Sequence, residues 1–244
     1  MVVELRQMER IAGAVRDAVR DYACDVCEIV GDRLAGLTIY GSAVSGEFDH
    51  LRDVVRSVLV LDAVELARLR DLARRGRRFG KRRIAAPIIM TPEYLRDSLD
   101  TFPLELIEIQ DHHATLAGEE HFDDLAFQPE HVRLECEREL KTLLIGLRQG
   151  LLAAGGKEKL LGELGAGAAD TLARILRGLV WLKGQKEPPS RQDLLAKTED
   201  LVGRALPGMR AAIERRGDRG WDPFVRLYED LEALRRKADA WQTG

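Results

Sequence analysis

An α/β half followed by an all-helical half is the fold that this 244-residue chain predicts. Short apolar, β-branched runs alternate with helical periodicity over residues 1–125, which reads as a mixed sheet with flanking helices. From Pro129 onward strand signals stop, and Val132, Cys136, Leu140, Leu143, Leu144 and Leu147 mark a helical stripe, so residues 126–244 read as a helical bundle.

The elements follow in order. Leu5, Met8, Ile11, Val15, Val19, Tyr22, Val26 and Val30 lie on one helical face, predicting a single long helix that ends near Gly31. Leu37-Thr38-Ile39-Tyr40 reads as a strand, and Gly41-Ser42 as a turn into a helix. A second strand is expected over 55–61, a helix over 63–75, and strands over 84–90 and 104–109. Thr91-Pro92-Glu93 is a helix start, with Thr91 as cap and Pro92 in the first turn. In the second half, helices are expected over 129–150, 157–164, 167–183, 190–204 and 222–241, with Ser190 and Asp193 marking a capped start.

Composition narrows the classes. With 45% apolar residues the chain can bury one good core or two modest ones. A formal net charge of −3 argues against a surface that is one nucleic-acid footprint, so any polyanion site must be local. Charges at short intervals in Met1-Val2-Val3-Glu4-Leu5-Arg6 leave no signal-peptide core, and no apolar run is long enough to span a bilayer. These features lead to the expectation of a cytoplasmic protein without a membrane partner. Cys24 and Cys27 share a helical pattern with no second cysteine pair, so they read as free thiols.

The stretch richest in chemistry is Tyr40-Gly41-Ser42-Ala43-Val44-Ser45-Gly46. A strand that delivers a Gly-Ser turn to a helix start suits phosphate: Gly41 lets the anion approach the backbone, while the Ser42 hydroxyl and the following amides donate to it. Positions 43–52 then separate Ser42 from Asp53, which opens Asp53-Val54-Val55-Arg56 before the next strand. This order resembles the nucleotidyltransferase superfamily, which includes DNA polymerase β-like, aminoglycoside-modifying and MNT-type members. The resemblance covers about the first half of the chain.

It implies a nucleotidyltransferase-like mixed sheet, nucleoside triphosphate at Gly41 and Ser42, and Mg²⁺ on Asp53 and on Glu105 of the 104–109 strand. On that strand, Glu105 and Glu108 would face opposite sides. The family pattern has a second aspartate, however, and this sequence has Val55 in its place. Aligned instead on the apolar strand 57–61, Val54 and Arg56 occupy the two acidic positions. Either register lacks the carboxylate that bridges two metal ions. A head followed by a helical bundle also occurs in family members fused to helical toxins, but the five histidines form no Arg-x4–6-His motif of RNase toxins.

Arg68 to Arg83 is the densest basic run, and Arg74, Arg75, Arg77 and Arg78 could meet RNA or a protein partner, although charge runs are usually solvated faces. Asp111-His112-His113 lacks a third ligand at useful spacing and reads as a polar transition. Trp181, Trp221 and Trp241 accompany Phe224, Leu227, Tyr228, Leu231 and Leu234 in a packing stripe.

The leading expectation is a nucleotidyltransferase-fold pseudoenzyme that binds nucleotide or a partner without efficient transfer. One alternative is an active enzyme moving a nucleoside monophosphate to a small hydroxylated acceptor, with Asp53 and Glu105 on one Mg²⁺ and Asp49 or Asp62 as the missing acid. The other is a structural module that assembles with itself or a partner through its bundle.

Overall fold

The computed structural model describes residues 4–185, 189–214 and 220–239 and forms a mixed α/β protein with two compact units. The first comprises residues 1–99 and 106–126, and the second residues 100–105 and 127–244. Trp241 lies outside the described residues. Among the described residues, no helix is long and apolar enough to cross a membrane.

The first unit is built on four strands: β1 (Leu34–Tyr40), β2 (Arg56–Leu61), β3 (Ile88–Met90) and β4 (His113–Gly118). Their order is β3-β2-β1-β4, with β1 antiparallel to both neighbours and β3 parallel to β2. Strand alternation sends Leu37, Ile39, Leu59, Leu61, Ala114 and Leu116 into one core with Val19, Tyr22 and Val26 of α1 (Arg16–Val30). Thr38, Tyr40, Arg56, His113 and Thr115 occupy the opposite face by the same alternation.

The long N-terminal helix begins only at Arg16. Upstream, the Arg6 amide donates to the Leu116 carbonyl and the Ala12 amide to the Ala43 carbonyl, at 2.9 Å each, so these donors serve the fold instead of a helical ladder. Two single 3₁₀ turns, Met8–Arg10 and Gly13–Val15, carry the chain between. The Gly-Ser turn leads into α2 (Ser42–Ser45), and the basic run forms α3 (Leu66–Ala73) and α4 (Gly76–Lys81). Thr91 caps α5 (Pro92–Asp97), its hydroxyl accepting the Tyr94 amide at 3.1 Å. The expected strand over 84–90 shortens to β3, with Ile84 making one isolated bridge to Val55.

The largest local correction is at 104–109, which is helical: α6 runs Pro103–Asp111. The apolar doublet Leu106-Ile107 breaks a two-residue period, and Glu105 and Glu108, three apart, lie along one helical face. Pro103 suits a first turn, and the adjoining Leu104 amide donates to Glu135 Oε2 at 2.7 Å.

The second unit packs α7 (Pro129–Ala154) against α8 (Glu158–Leu182), followed by α9 (Arg191–Val202), α10 (Pro207–Ile213) and α11 (Trp221–Asp239). The break expected between 164 and 167 is absent. Gly165 and Gly167 lie within α8, where a side chain at Gly165 would meet Leu227 of α11. Ser190 caps α9 by accepting the Asp193 amide. Phe224, Leu227, Leu231 and Leu234 are buried, while Trp221 is exposed.

Tyr22 makes the α1–sheet core measurable. Its hydroxyl shares a 2.9 Å hydrogen bond with buried Ser57 Oγ, and burial pushes the phenol from 10.0 to about 12 against the opposing pull of Ser57. The raised value means that the contribution is complete below pH 10 and is lost as pH rises through about 12. Tyr22→Phe is expected to cost about 1 kcal/mol at neutral pH and to flatten the fall in stability above pH 10, as read by urea midpoints across that range.

Candidate functional site

The register places three chemically active side chains on one rung. Tyr40 pairs with Arg56 of β2 on one side and with His113 of β4 on the other. Directly opposed residues share a face, so Arg56, Tyr40 and His113 stand side by side where the sheet meets the Gly41-Ser42 turn.

Arg56 is held from three directions. Its guanidinium lies 4.7 Å from the centroid of the Tyr40 ring, a cation–π contact. Both terminal nitrogens pair with the Glu108 carboxylate, Nη1 donating to Oε2 at 2.9 Å and Nη2 to Oε1. The same guanidinium fills the space that a side chain at Gly41 would need, so glycine there admits Arg56 as well as providing the positive φ of 76°. The Gly41 amide donates to the His112 carbonyl at 2.8 Å, tying the turn to the entry of β4. Ser42, one residue on, is part-exposed, and the first helical bonds of α2 come from Val44 and Ser45 to the Gly41 carbonyl.

The other residues singled out by sequence are dispersed. Asp53 is buried before β2, where its Oδ2 accepts the Asp49 amide at 3.0 Å and its carbonyl accepts Arg83 Nε at 2.7 Å. Asp49 also accepts the Leu51 amide, so this acid helps to shape the loop. Val55 is fully buried in the α1 core, whereas Arg56 faces the rung. Glu105 belongs to the second unit and pairs there with Arg174 of α8. Glu108, on the same helix, belongs with the first.

Much of the basic run is engaged on the first unit itself. Arg75 and Arg78 hold buried Asp25 of α1 at 3.4 and 3.0 Å, Arg82 pairs with Asp21, and Arg74 pairs with Asp71. The contacts to Asp21 and Asp25 dock α4 on α1, whereas Arg74–Asp71 is a local pair at the end of α3. Cys24 and Cys27 are free thiols.

At the far end of the rung, His113 is buried and its Nε2 lies 3.2 Å from Glu120 Oε1 and 3.4 Å from Asp123 Oδ1. Gly118, at φ 76°, reverses the chain after β4, and Phe122 then packs edge-on to the His113 ring. Burial pushes the Glu120 carboxyl up, but hydrogen bonds from His113, Thr115 and the Phe122 amide outweigh it and bring it to about 2. Burial likewise disfavours the His113 cation, yet Glu120, the Gln110 carbonyl and Asp123 hold its pKa above the ordinary value.

Sequence reasoning stopped at Asp111-His112-His113 because no third ligand was near in sequence. The partners of His113 stand seven and ten residues later, beyond Gly118. The positive-φ turn was the signal that could have joined them. No protein-family model matches the sequence, and no curated protein matches it.

Proposed function

We propose that the first unit is a nucleotidyltransferase-like module that binds the phosphates of a nucleoside triphosphate without transferring the nucleotide. The observation that supports this reading most strongly is Arg56, a guanidinium oriented by Glu108 and Tyr40 beside the Gly41-Ser42 turn. In the register that aligns Val54 and Arg56 with the family acids, a fixed cation stands where a metal-binding carboxylate would be. Guanidinium donors match phosphate oxygens in plane and charge, and they need no metal bridge. Buried Val55 and cationic Arg56 do not suit a pair of magnesium ions, so the proposed binding is metal-independent. Asp53 keeps the loop after α2 closed.

Calorimetric titration with ATP, CTP, GTP and UTP, each with and without Mg²⁺, tests this reading together with an assay for pyrophosphate. Binding that persists without Mg²⁺ and yields no pyrophosphate is expected. Arg56→Gln should weaken it at least about tenfold, the loss of a hydrogen bond to a charged group, and Ser42→Ala should weaken it less. Pyrophosphate release would replace the proposal with an active transferase, and absence of binding would remove phosphate recognition from this face.

A further inference from the structure

We propose that His113, Glu120 and Asp123 form a site for one divalent first-row transition metal, separate from the phosphate reading above and independent of it. Imidazole nitrogen with two carboxylate oxygens is a donor set that such ions accept. The three donor atoms lie within 4.8 Å of one another. Ligands about 2.0–2.2 Å from a tetrahedral ion stand roughly 3.3–3.6 Å apart. The observed 3.2 Å from His113 Nε2 to Glu120 and 3.4 Å to Asp123 match two edges of such a set, and the two carboxylate oxygens, within 4.8 Å of each other, supply the third.

The surroundings separate this cluster from a chance gathering of acids. His113 Nδ1 lies 3.1 Å from the Gln110 carbonyl, a contact that places a proton on Nδ1 and directs Nε2 toward the carboxylates. The side chain of the same Gln110 donates to the carbonyls of Asp123 and Leu125 at 3.0 Å each, fastening the loop that carries the third ligand. Glu120 Oε1 accepts the amides of His121 and Phe122 at 2.9 Å. Thus each of the three residues is positioned by a group outside the cluster, as metal ligands characteristically are. His113 is buried while the Asp123 side chain is 68% exposed, which leaves one side open to solvent. Three protein ligands with an open side leave a fourth position for water or a small anion.

The test is titration of the chelator-treated full chain with Zn²⁺ at mildly alkaline pH, by calorimetry and by metal analysis after gel filtration. It uses a Cys24→Ser, Cys27→Ser background to remove the thiols. One equivalent should bind. His113→Ala should weaken binding by at least about 100-fold, and Gln110→Ala by about 10–100-fold through loss of orientation. Since His113 is buried, the exposed Asp123→Asn is the companion variant and should weaken binding at least tenfold with unchanged circular dichroism. Co²⁺ should give a visible spectrum that Asp123→Asn alters. Absence of stoichiometric binding, or zinc binding that Asp123→Asn and Gln110→Ala leave unchanged, would overturn the site and leave a histidine–carboxylate ion pair.

Discussion

Val55→Asp is expected to unfold the first unit and not to restore a metal carboxylate. The proposed resemblance makes this substitution attractive, because it completes Asp53-x-Asp. The fold gives Val55 another role: it has no exposed surface, lies in the core with α1, and its amide donates to the Arg83 carbonyl at 2.7 Å. An aspartate there would lose the burial of valine, about 1.5 kcal/mol, and would place a carboxyl among apolar neighbours, costing about 2–7 kcal/mol. A sum of about 5 kcal/mol is comparable with the whole stability of a small domain. Urea unfolding followed by far-UV circular dichroism checks the loss, with Val55→Ala as the control at about 2–3 kcal/mol. A folded Val55→Asp protein that binds Mg²⁺ would show that the first register describes the site.

Asp230→Ala is expected to be the most damaging single change in the second unit, at about 3–5 kcal/mol. Asp230, on α11, is buried, and its Oδ2 accepts the amides of Gly208 and Met209 at 2.7 and 3.2 Å. It thereby caps the first turn of α10, while Oδ1 accepts from Arg204 at 2.6 Å. Burial holds its carboxyl above the ordinary range despite those three donors. Alanine would leave two buried amides without their acceptor. Asp230→Asn retains an acceptor oxygen and should cost only about 1–2 kcal/mol. All three tryptophans lie in this half of the chain, so tryptophan fluorescence in urea reads the difference. Equal losses for Ala and Asn would show that the charge, and not the cap, is what matters. Gly208 completes the joint: a side chain there would collide with the backbone of Arg226 and Leu227, so α10 and α11 approach closely only with glycine.

Local chemistry was legible wherever the partners lie close in sequence. Thr91 and Ser190 cap the helices their spacing predicts, because a hydroxyl reaching an amide three residues on needs no help from the rest of the fold. Gly41 turns after β1 as expected, since its positive φ follows from the lack of a side chain. The mixed α/β character and the helical second half were readable from hydrophobic period alone.

Contacts between distant residues were not readable. Leu104-Glu105-Leu106 alternates as a strand would, and only the Leu106-Ile107 doublet departs from that period. The helix that these residues form starts where Glu135, thirty-one positions away, accepts the Leu104 amide. Arg75 and Arg78 read as an open basic face until α1 supplies Asp25 fifty and fifty-three positions earlier.

The candidate site divides in the same way. Sequence alone determined the glycine turn, the strands on either side of it, and the lack of a second acid two residues after Asp53. Only the tertiary structure decided that Arg56, Tyr40 and His113 share a rung, that Glu108 fixes the guanidinium, and that Glu120 and Asp123 return to His113. The physical reason is that strand register and chain reversal are set by core packing across the whole sheet. A side chain's chemical neighbours are therefore decided by residues that its own sequence window does not contain.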